Sequence, residues 1–540
     1  MRSIKLHKLL DLVGIIPSLD LIDHEINNIS FNSKEVQKGT LFLGMPGLNV
    51  DGGKFCIEAI ENGAEAAIIG SAAKERIGSI DRERILVIED NLDYIFGQIV
   101  AEFWNRPSRK LKLIGVTGTN GKTTITFLLE YLLKKLGKKT ALFGTLFNRW
   151  PGFSEVASHT TDFADKLQKK LNAAVEAESE FAILEVSSHS IAQKRISGCE
   201  FEAAIFTNLT QDHLDYHSDM ESYFQTKRKL FFPPYLREKD GISVLNHDDH
   251  WISKLSSDLE KRSSLVSTKI TESEFENDDF FFVTDKKFTE NGSTCIFHTP
   301  KEKIQLFVPL VGEFNLMNAI QAITILYKLN FSLKDLSKLI RSFPGAPGRM
   351  EKIEIDNDDV SRSLPTVIVD YAHTPDGLKK VLQAIKKLCE GRLITVFGCG
   401  GDRDRSKRPL MGSIAEELSD QLFITSDNPR SEEPQKIVND ILMGIKKREK
   451  ITIEIDRFKA INESIKFADK KDIILIAGKG HEDYQILNDK VINFDDRKIA
   501  YKLLKEKNKS QFLFFLFFLY PSKYHSLSFV VLLILDYLML

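Results

Sequence analysis

Gly118, Thr119, Asn120, Gly121, Lys122, Thr123 and Thr124 form an unbroken run that can do chemistry. Backbone N–H groups of a glycine-rich turn at the start of a helix make an anion cradle. A lysine in that turn can reach the β- and γ-phosphates of a nucleotide, and a threonine hydroxyl can ligate Mg2+. Strict phosphate-loop spacing would put glycine where Val116 stands, so the run is a variant built on Gly115 and Gly118.

Further candidates follow other apolar runs. Glu185 ends Phe-Ala-Ile-Leu-Glu-Val and precedes Ser187-Ser188-His189. A carboxylate at a strand end beside a phosphate loop can serve a Mg2+ ion directly or through the loop threonine. Asp212, His213, Asp215 and His217 fall within six residues. Those residue types suit either a metal site or a solvated loop. Asp402-Arg403-Asp404-Arg405 follows Gly398-Cys399-Gly400-Gly401, Asp427-Asn428-Pro429-Arg430 follows another apolar run, and Gly478-Lys479-Gly480-His481-Glu482 follows a third. Three polar strand ends would build one pocket along one sheet edge, where arginine forks suit carboxylates.

The elements that must position these groups are legible from periodicity. Compact apolar runs read as strands, with Leu111 to Thr117 leading straight into the glycine-rich turn. Ile125, Leu128, Leu129, Leu132, Leu133 and Leu136 recur at helical spacing, and Gly137 is placed to end that helix. Residues 181–190 and 201–210 supply two more buried strands, and 280–297 reads as added antiparallel strands. Residues 56–69 read as helix, glycine turn and strand, and 83–90 as a short strand. Asn105 to Lys110 has linker composition, and a second α/β unit begins near Pro344 with strands around 366–372, 393–401 and 472–480. Strands alternating with helices predict parallel sheets covered on both faces. The expected fold class is α/β in three domains: 1–106, 107–343 and 344–507, followed by an apolar tail, 508–540.

Composition narrows the function. The 540 residues carry 74 Lys+Arg against 76 Asp+Glu, a net charge of −2, so no global basic field draws the chain to nucleic acid. Cys56, Cys199, Cys295, Cys389 and Cys399 form no CxxC pair, which argues against a disulfide framework and fits a reducing cytoplasm. The N-terminal apolar stretch is broken by Asp11 and does not read as a signal peptide. The runs 512–520 and 529–540 fall short of the roughly 20 residues a membrane helix needs. They read as an extension past the fold, with interfacial packing as the alternative.

Taken in order, GTNGKTT, EVSSHS, FTNLTQDHLDYH, GEFNLMNA, PGRMEK, VDYAHTPDGL, FGCGGDRDRSKRPLMG, DNPR and AGKGHEDYQ resemble the Mur ligases of peptidoglycan synthesis from about residue 25 to about residue 500. The resemblance implies a small N-terminal UDP-substrate-binding α/β domain, a central ATPase domain with a parallel sheet and a Rossmann-like C-terminal domain that takes the amino acid. It also implies an ATP-dependent amide-bond ligase acting through an acyl phosphate, with Mg2+, on a UDP-linked muramoyl dipeptide. Peptidoglycan supply, and through it cell shape and division, would depend on the reaction. The enzyme is expected to be a cytoplasmic monomer that needs no nucleic acid and touches a membrane only if the tail does.

Residue by residue, the resemblance implies that 118–124, Asn315, Asn318, Arg349, Asp370 and His373 meet ATP. Lys122, Glu185, His213 and Lys227 would be catalytic. Thr123, Glu185, His213 and a carbamate on Lys227 would hold the metal. Phe31, Ser33, Leu48, Asn49 and Val50 would meet the uridine nucleotide, and His159, Thr160, Thr161, Ser187, Gln193 and Arg195 its muramoyl-dipeptide arm. Arg403, Asp427, Asn428, Pro429, Arg430, Gly478 and Glu482 would meet the incoming amino acid. The DNPR form resembles that associated with meso-diaminopimelate: Arg430 could pair with its distal carboxylate and Glu482 with its ammonium. Asn32-Ser33-Lys34 and Thr160-Thr161-Asp162 depart from the usual Asp-Ser-Arg and Thr-Thr-Pro. The alternatives are a lysine-adding ligase of the same family, a folylpolyglutamate synthetase, and a membrane-associated binding protein without catalysis.

Overall fold

The computed structural model describes residues 3–47, 50–77, 81–259, 263–269, 279–355 and 364–519, with side chains to residue 509. The chain divides at Pro344/Gly345 into two compact units.

The first unit carries two main sheets besides a short antiparallel pair, Ile4–Lys5 with Glu25–Ile26. Asn28–Ser30, Thr40–Leu43, Ala64–Gly70 and Ile85–Ile88 form a four-stranded parallel sheet. Leu41, Phe42, Leu43, Ala67 and Ile69 are wholly buried in it, as strands covered on both faces must be. The larger sheet has eleven strands. Its parallel centre runs Thr140–Phe143, Phe181–Glu185, Lys112–Thr117, Ala203–Phe206, Ile242–Asn246, Ser263–Ser267 and Phe280–Thr289. Antiparallel strands extend both edges, Phe147–Trp150 with Phe153–Val156 on one side and Gly292–His298 with Lys303–Val308 on the other. The antiparallel strands expected over 280–297 are therefore present.

Register decides the chemistry. Glu185 lies opposite Val116, and Phe206 opposite Thr117, so the ends of three neighbouring strands open onto one edge. The helix Lys122–Lys135 starts there and packs Ile125, Leu128, Leu129, Leu132 and Leu133 inward with no exposure. Gly137, at φ 77°, follows its end as the sequence predicts. The stretch expected to be a linker is instead a packed joint: Pro107–Lys110 forms a short helical turn with Pro107 and Ser108 buried. Proline at the first helical position needs no N–H partner, so a polar, proline-bearing sequence can form a turn here.

The second unit is built on a six-stranded sheet in the order Glu351–Lys352, Thr366–Asp370, Ile473–Ala477, Leu393–Phe397, Gln421–Ile424 and Ile451–Ile453, parallel except for its first strand. The strands ending at Ala477, Phe397 and Ile424 are adjacent, which puts the three polar strand ends side by side as expected. The last helix, Asp496–Leu519, runs beyond the limit near 507, and residues 520–540 of the apolar tail lie outside the described residues. No helix among the described residues is long and apolar enough to cross a membrane.

Arg457 and Asp496 lock this unit beneath its sheet edge. Both are wholly buried, paired at 2.8 and 2.7 Å, and Arg457 also donates to the carbonyls of Ser426 at 3.2 Å and Ala477 at 3.0 Å. Removing one member strands the other charge, whereas replacing both with apolar groups need not destabilise. Arg457→Leu or Asp496→Leu is expected to cost about 3–5 kcal/mol in chemical denaturation, with the double variant recovering most of the loss. A double variant as unstable as the sum of the singles would contradict this.

Candidate active site

The strand Lys112–Thr117 delivers the chain into the glycine-rich turn with Gly118 at φ 139° and Gly121 at φ 90°. A Cβ on Gly118 would lie 1.9 Å from Thr207 Oγ1, and one on Gly121 2.4 Å from Asn318 Oδ1, so both positions need glycine for space as well as conformation. Lys122 Nζ donates to the carbonyls of Gly118 at 2.9 Å and Thr119 at 2.8 Å, curling back over the turn. Asn208 brackets Asn120, accepting from its N–H and donating to its carbonyl, both at 3.0 Å. Thr119 donates to the Thr210 carbonyl at 3.1 Å, and Thr123 and Thr124 are buried in the first helical turn. Asn318 lies against Gly121 of the turn and donates to Asn315 Oδ1 at 3.3 Å, so Asn315 stands one contact behind it.

Glu185 is 1% exposed and joins two groups of residues. Its Oε2 accepts from Thr123 Oγ1 at 3.1 Å and Thr145 Oγ1 at 3.0 Å, and Oε1 accepts from the Thr145 N–H at 3.2 Å. Its backbone carbonyl accepts from Thr161 Oγ1 at 2.7 Å. From Thr161 the network continues to Arg195, whose Nη1 donates to the Thr161 carbonyl at 2.9 Å. Arg195 also binds Gln193 Oε1 through Nε at 3.0 Å and Nη2 at 2.7 Å, and its guanidinium lies 4.1 Å from the Phe163 ring centre. Ser187 N–H reaches Thr161 Oγ1 at 3.4 Å, and the Thr145 and Thr160 hydroxyls lie 3.2 Å apart. His159 packs edge-on to Phe163 at 5.7 Å. All six residues expected on the muramoyl-dipeptide arm thus share one neighbourhood.

The segment 212–217 is neither a plain solvated loop nor a ready metal cage. His213 sits edge-on to His189 at 4.7 Å, and His217 packs 5.0 Å from Tyr223. Burial lowers the affinity of all three histidines for a proton, and His217 is pushed down to about 4 with help from His189 and Lys227. Neutral imidazoles are the ligand form. Among the described residues no three His, Cys, Asp or Glu come together as a metal site. Of the expected ligands the structure joins Thr123 to Glu185, while His213 pairs with His189 and Asp212.

Lys227 is 1% exposed and donates to the Gly118 carbonyl at 3.0 Å, the same carbonyl that Lys122 uses. Burial, reinforced by Lys122, pushes its ammonium well below the ordinary lysine range.

In the N-terminal part, Phe31 N–H donates to Asp165 Oδ2 at 3.1 Å, and Ser33 donates to Glu58 at 3.1 Å. Val50 is 45% exposed, and Leu48 and Asn49 lie outside the described residues.

In the second unit, Asp370 accepts from the Met350 and Ala372 N–H groups, both at 2.7 Å. Its carboxylate therefore fixes the chain on both sides, with burial raising its pKa against Arg349. The Arg349 guanidinium stacks 4.3 Å from Tyr371, whose ring also meets His373 and His481. Along the edge, Asn428 Nδ2 donates to Glu482 at 2.7 Å, and Arg430 Nη1 to the Gly401 carbonyl at 2.7 Å. A Cβ on Gly478 would meet Asp427 Oδ2 at 2.6 Å, so that glycine lets Asp427 approach. Pro429 is buried beside them, and exposed Arg403 donates to the carbonyl of Asp402 at 2.9 Å. No carboxylate pairs with Arg403 or Arg430 among the described residues. Burial, then Asp427, raises the Glu482 pKa, opposed by Lys479 at 3.2 Å.

Sequence reasoning missed Thr145, Asp165 and Tyr371, and named Lys479 only as part of its strand end. Thr145, Asp165 and Tyr371 act through contacts distant in the chain, with Glu185, Phe31 and His481. Only Lys479, within Gly-Lys-Gly-His-Glu, had a local signal.

The Lys227 environment has a measurable consequence. Above the lowered folded pKa and below the ordinary 10.5, the unfolded chain takes up a proton that the folded chain refuses. In CO2-free buffer Lys227→Met should therefore raise stability near pH 7, with the gain shrinking as pH approaches 10.5. A gain equal at both pH values, read from denaturation curves, would contradict a suppressed ammonium.

Comparison with known proteins identifies the family. Three family descriptions match in order: "Mur ligase family, catalytic domain" over 25–104, "Mur ligase middle domain" over 116–326 and "Mur ligase, glutamate ligase domain" over 348–480. A UDP-N-acetylmuramoyl-L-alanyl-D-glutamate--2,6-diaminopimelate ligase of Prochlorococcus marinus subsp. pastoris (strain CCMP1986 / NIES-2087 / MED4) is 92% identical over 511 residues, covering 95% of this chain and 100% of the relative. The protein of the same name from Prochlorococcus marinus (strain SARG / CCMP1375) is 49% identical over 506 residues, covering 93% and 99%. A solved ligase of that name superposes with a TM-score of 0.65 at 30% identity, covering 94% of this chain and 99% of its own. MurF ligase from Thermotoga maritima, solved with ADP, shares the fold at a TM-score of 0.59 and 16% identity, covering 90% and 98%. With the phosphate loop, the Glu185 network and the three strand ends in these places, the chain belongs to the Mur ligase family.

Proposed function

We propose that this chain is the ATP-dependent ligase that joins meso-2,6-diaminopimelate to UDP-N-acetylmuramoyl-L-alanyl-D-glutamate, releasing ADP and phosphate in peptidoglycan synthesis. The observation that carries this reading is the double use of Glu185. Its carboxylate receives the phosphate-loop hydroxyl of Thr123, and its backbone carbonyl receives Thr161 of the group around Arg195. One residue thus holds a phosphoryl donor site and a carboxylate-binding site together, as transfer between them requires. The relatives' names supply the substrates.

A carboxylate is a poor electrophile until one oxygen becomes a leaving group. The turn 118–124 holds the nucleotide phosphates, with Lys122 swinging from the loop carbonyls to the β- and γ-phosphates. Arg195, Thr161, Gln193 and Ser187 orient the D-glutamyl carboxylate. A carboxylate oxygen attacks the γ-phosphorus, ADP leaves, and an acyl phosphate results. The diaminopimelate amine then attacks the acyl carbon, and the tetrahedral intermediate expels phosphate. Asn315 and Asn318 cap the phosphate loop, and Arg349, His373 and Asp370 form the remaining nucleotide contacts. Phe31, Ser33, Leu48, Asn49, Val50, His159 and Thr160 bind the uridine and muramoyl parts.

The adjacent Thr123 hydroxyl and Glu185 carboxylate are hard oxygen donors that fit Mg2+, with neutral His213 nearby as a further donor. When bound, the ion neutralises charge on the transferring phosphoryl group. Lys227 fits a carbamate, because only an uncharged amine adds CO2 and burial favours that form. The domain limits 1–106, 107–343 and 344–507 assign UDP-substrate, ATP and amino-acid binding in turn. None of these substrates calls for a membrane, nucleic acid or second subunit, and we infer a cytoplasmic monomer.

Specificity for diaminopimelate rests on the sheet edge of the second unit. Arg430 spends one N–H on Gly401 and keeps the rest of its fork for a carboxylate. Glu482, held by Asn428 and Lys479, faces an ammonium. Lysine lacks the distal carboxylate and would leave Arg430 without a partner. ATP-dependent phosphate release with the dipeptide substrate is therefore expected with meso-diaminopimelate and not with L-lysine. Release with lysine alone would reverse the specificity, and release with neither would refute the ligase. Arg430→Ala should lower kcat/KM for diaminopimelate roughly a hundredfold, about 3 kcal/mol, with ATP binding unchanged.

A further inference from the structure

Behind the segments that carry Gln193, Arg195 and Lys227 lies a cavity of about 480 Å³ that the reaction does not use. Its lining includes Arg106, Arg109, Lys194, Arg228 and Lys229 against one carboxylate, Glu200. Neighbouring acids account for the arginines. Arg106 pairs with Glu102 at 2.6 Å, Arg109 with Glu200 at 2.6 Å, and Arg228 with Asp258 at 2.9 Å. Lys194 and Lys229 have no carboxylate at ion-pair distance among the described residues, and Asp93 meets the Lys194 charge only from farther off. Five cations against one lining carboxylate, two of them outside any ion pair, leave the cavity a positive field that favours an anion.

The walls are preformed. The helix Leu92–Phe103 and the turn at 197–198 touch backbone to backbone: a Cβ on Gly97 would lie 2.2 Å from Ser197 Cβ, and one on Gly198 2.4 Å from the Gly97 carbonyl. Tyr94, Phe232 and buried Tyr235 add aromatic surface, and the Arg228 guanidinium is stacked 4.4 Å from Phe232. A rigid cavity of this size with surplus positive charge and aromatic walls suits a compact polyanion.

We propose that this cavity is a second anion site, separate from the phosphate loop, that binds a small, multiply charged phosphate compound. It does not depend on which amino acid the ligase adds. Lys194 stands between Gln193 and Arg195, and Arg228 follows Lys227, so the site lies directly behind two groups of reaction residues.

The test is calorimetric titration of inorganic pyrophosphate into the full chain carrying Lys122→Ala, which disables the phosphate loop. Binding is expected to persist in that variant and to weaken at least tenfold when Lys194→Glu and Lys229→Glu are added. Should the added pair unfold the chain, Lys229→Glu alone, at an exposed position, should weaken binding at least threefold. Pyrophosphate binding that vanishes with Lys122→Ala, or that the charge reversals leave unchanged, would overturn the proposal.

Discussion

Glu185 must keep a wholly buried carboxylate at the end of a central strand, and the surrounding structure is arranged to allow it. A buried carboxylate is costly unless its oxygens are hydrogen-bonded. Here the hydroxyls of Thr123 and Thr145 and the N–H of Thr145 supply those bonds. Parallel pairing with Lys112–Thr117 sets Glu185 level with Val116, two residues before the loop begins. Gly144 makes room, since a Cβ there would lie 2.5 Å from Glu185 Oε1. A one-residue slip in this register would turn the carboxylate to the other face and separate the phosphate loop from Thr161 and Arg195.

The second unit solves a similar problem differently. Its wholly buried cations among the described residues, Arg408, Arg457 and Lys479, each have acidic partners: Glu432 and Asp440, Asp496, and Glu482. Arg457 reaches two strand-end carbonyls as well as Asp496, so the edge that presents Asp427, Asn428 and Glu482 is fixed from below. Lys479 is wholly buried and bonds Glu482, the group proposed to meet the substrate ammonium. Ligand groups backed by such pairs lose little freedom on binding, which favours discrimination over adaptability.

The fold was largely legible because its signals are local. Apolar runs before Gly118, after Glu180 and before Gly398 are short strands between polar ends, and the helix from Lys122 shows its period in five leucines and an isoleucine. The three strand ends of the second unit were legible for the same reason: each motif follows its own strand, and adjacency follows from the parallel sheet. What a local pattern cannot carry is the partner. Nothing near Thr145 signals Glu185, forty residues away, and nothing near Asp165 signals the Phe31 N–H. The packed joint at Pro107–Lys110 misled for a related reason: a proline and polar residues fit a linker and a buried helical turn equally well, and only the burial of Ser108 separates them. The histidines at 213 and 217 likewise both pack on His189, more than twenty residues away, which spacing alone does not show.

The central claim is that Glu185 holds the phosphoryl donor and the acceptor carboxylate in one site, so that phosphate is transferred to the substrate before the amide forms. Supplying the dipeptide substrate with 18O in the D-glutamyl γ-carboxylate and analysing the released phosphate by mass spectrometry tests this directly. An acyl-phosphate route transfers one 18O into each phosphate released during amide formation. Unlabelled phosphate, with one label kept in the amide and the other lost to water, would contradict it.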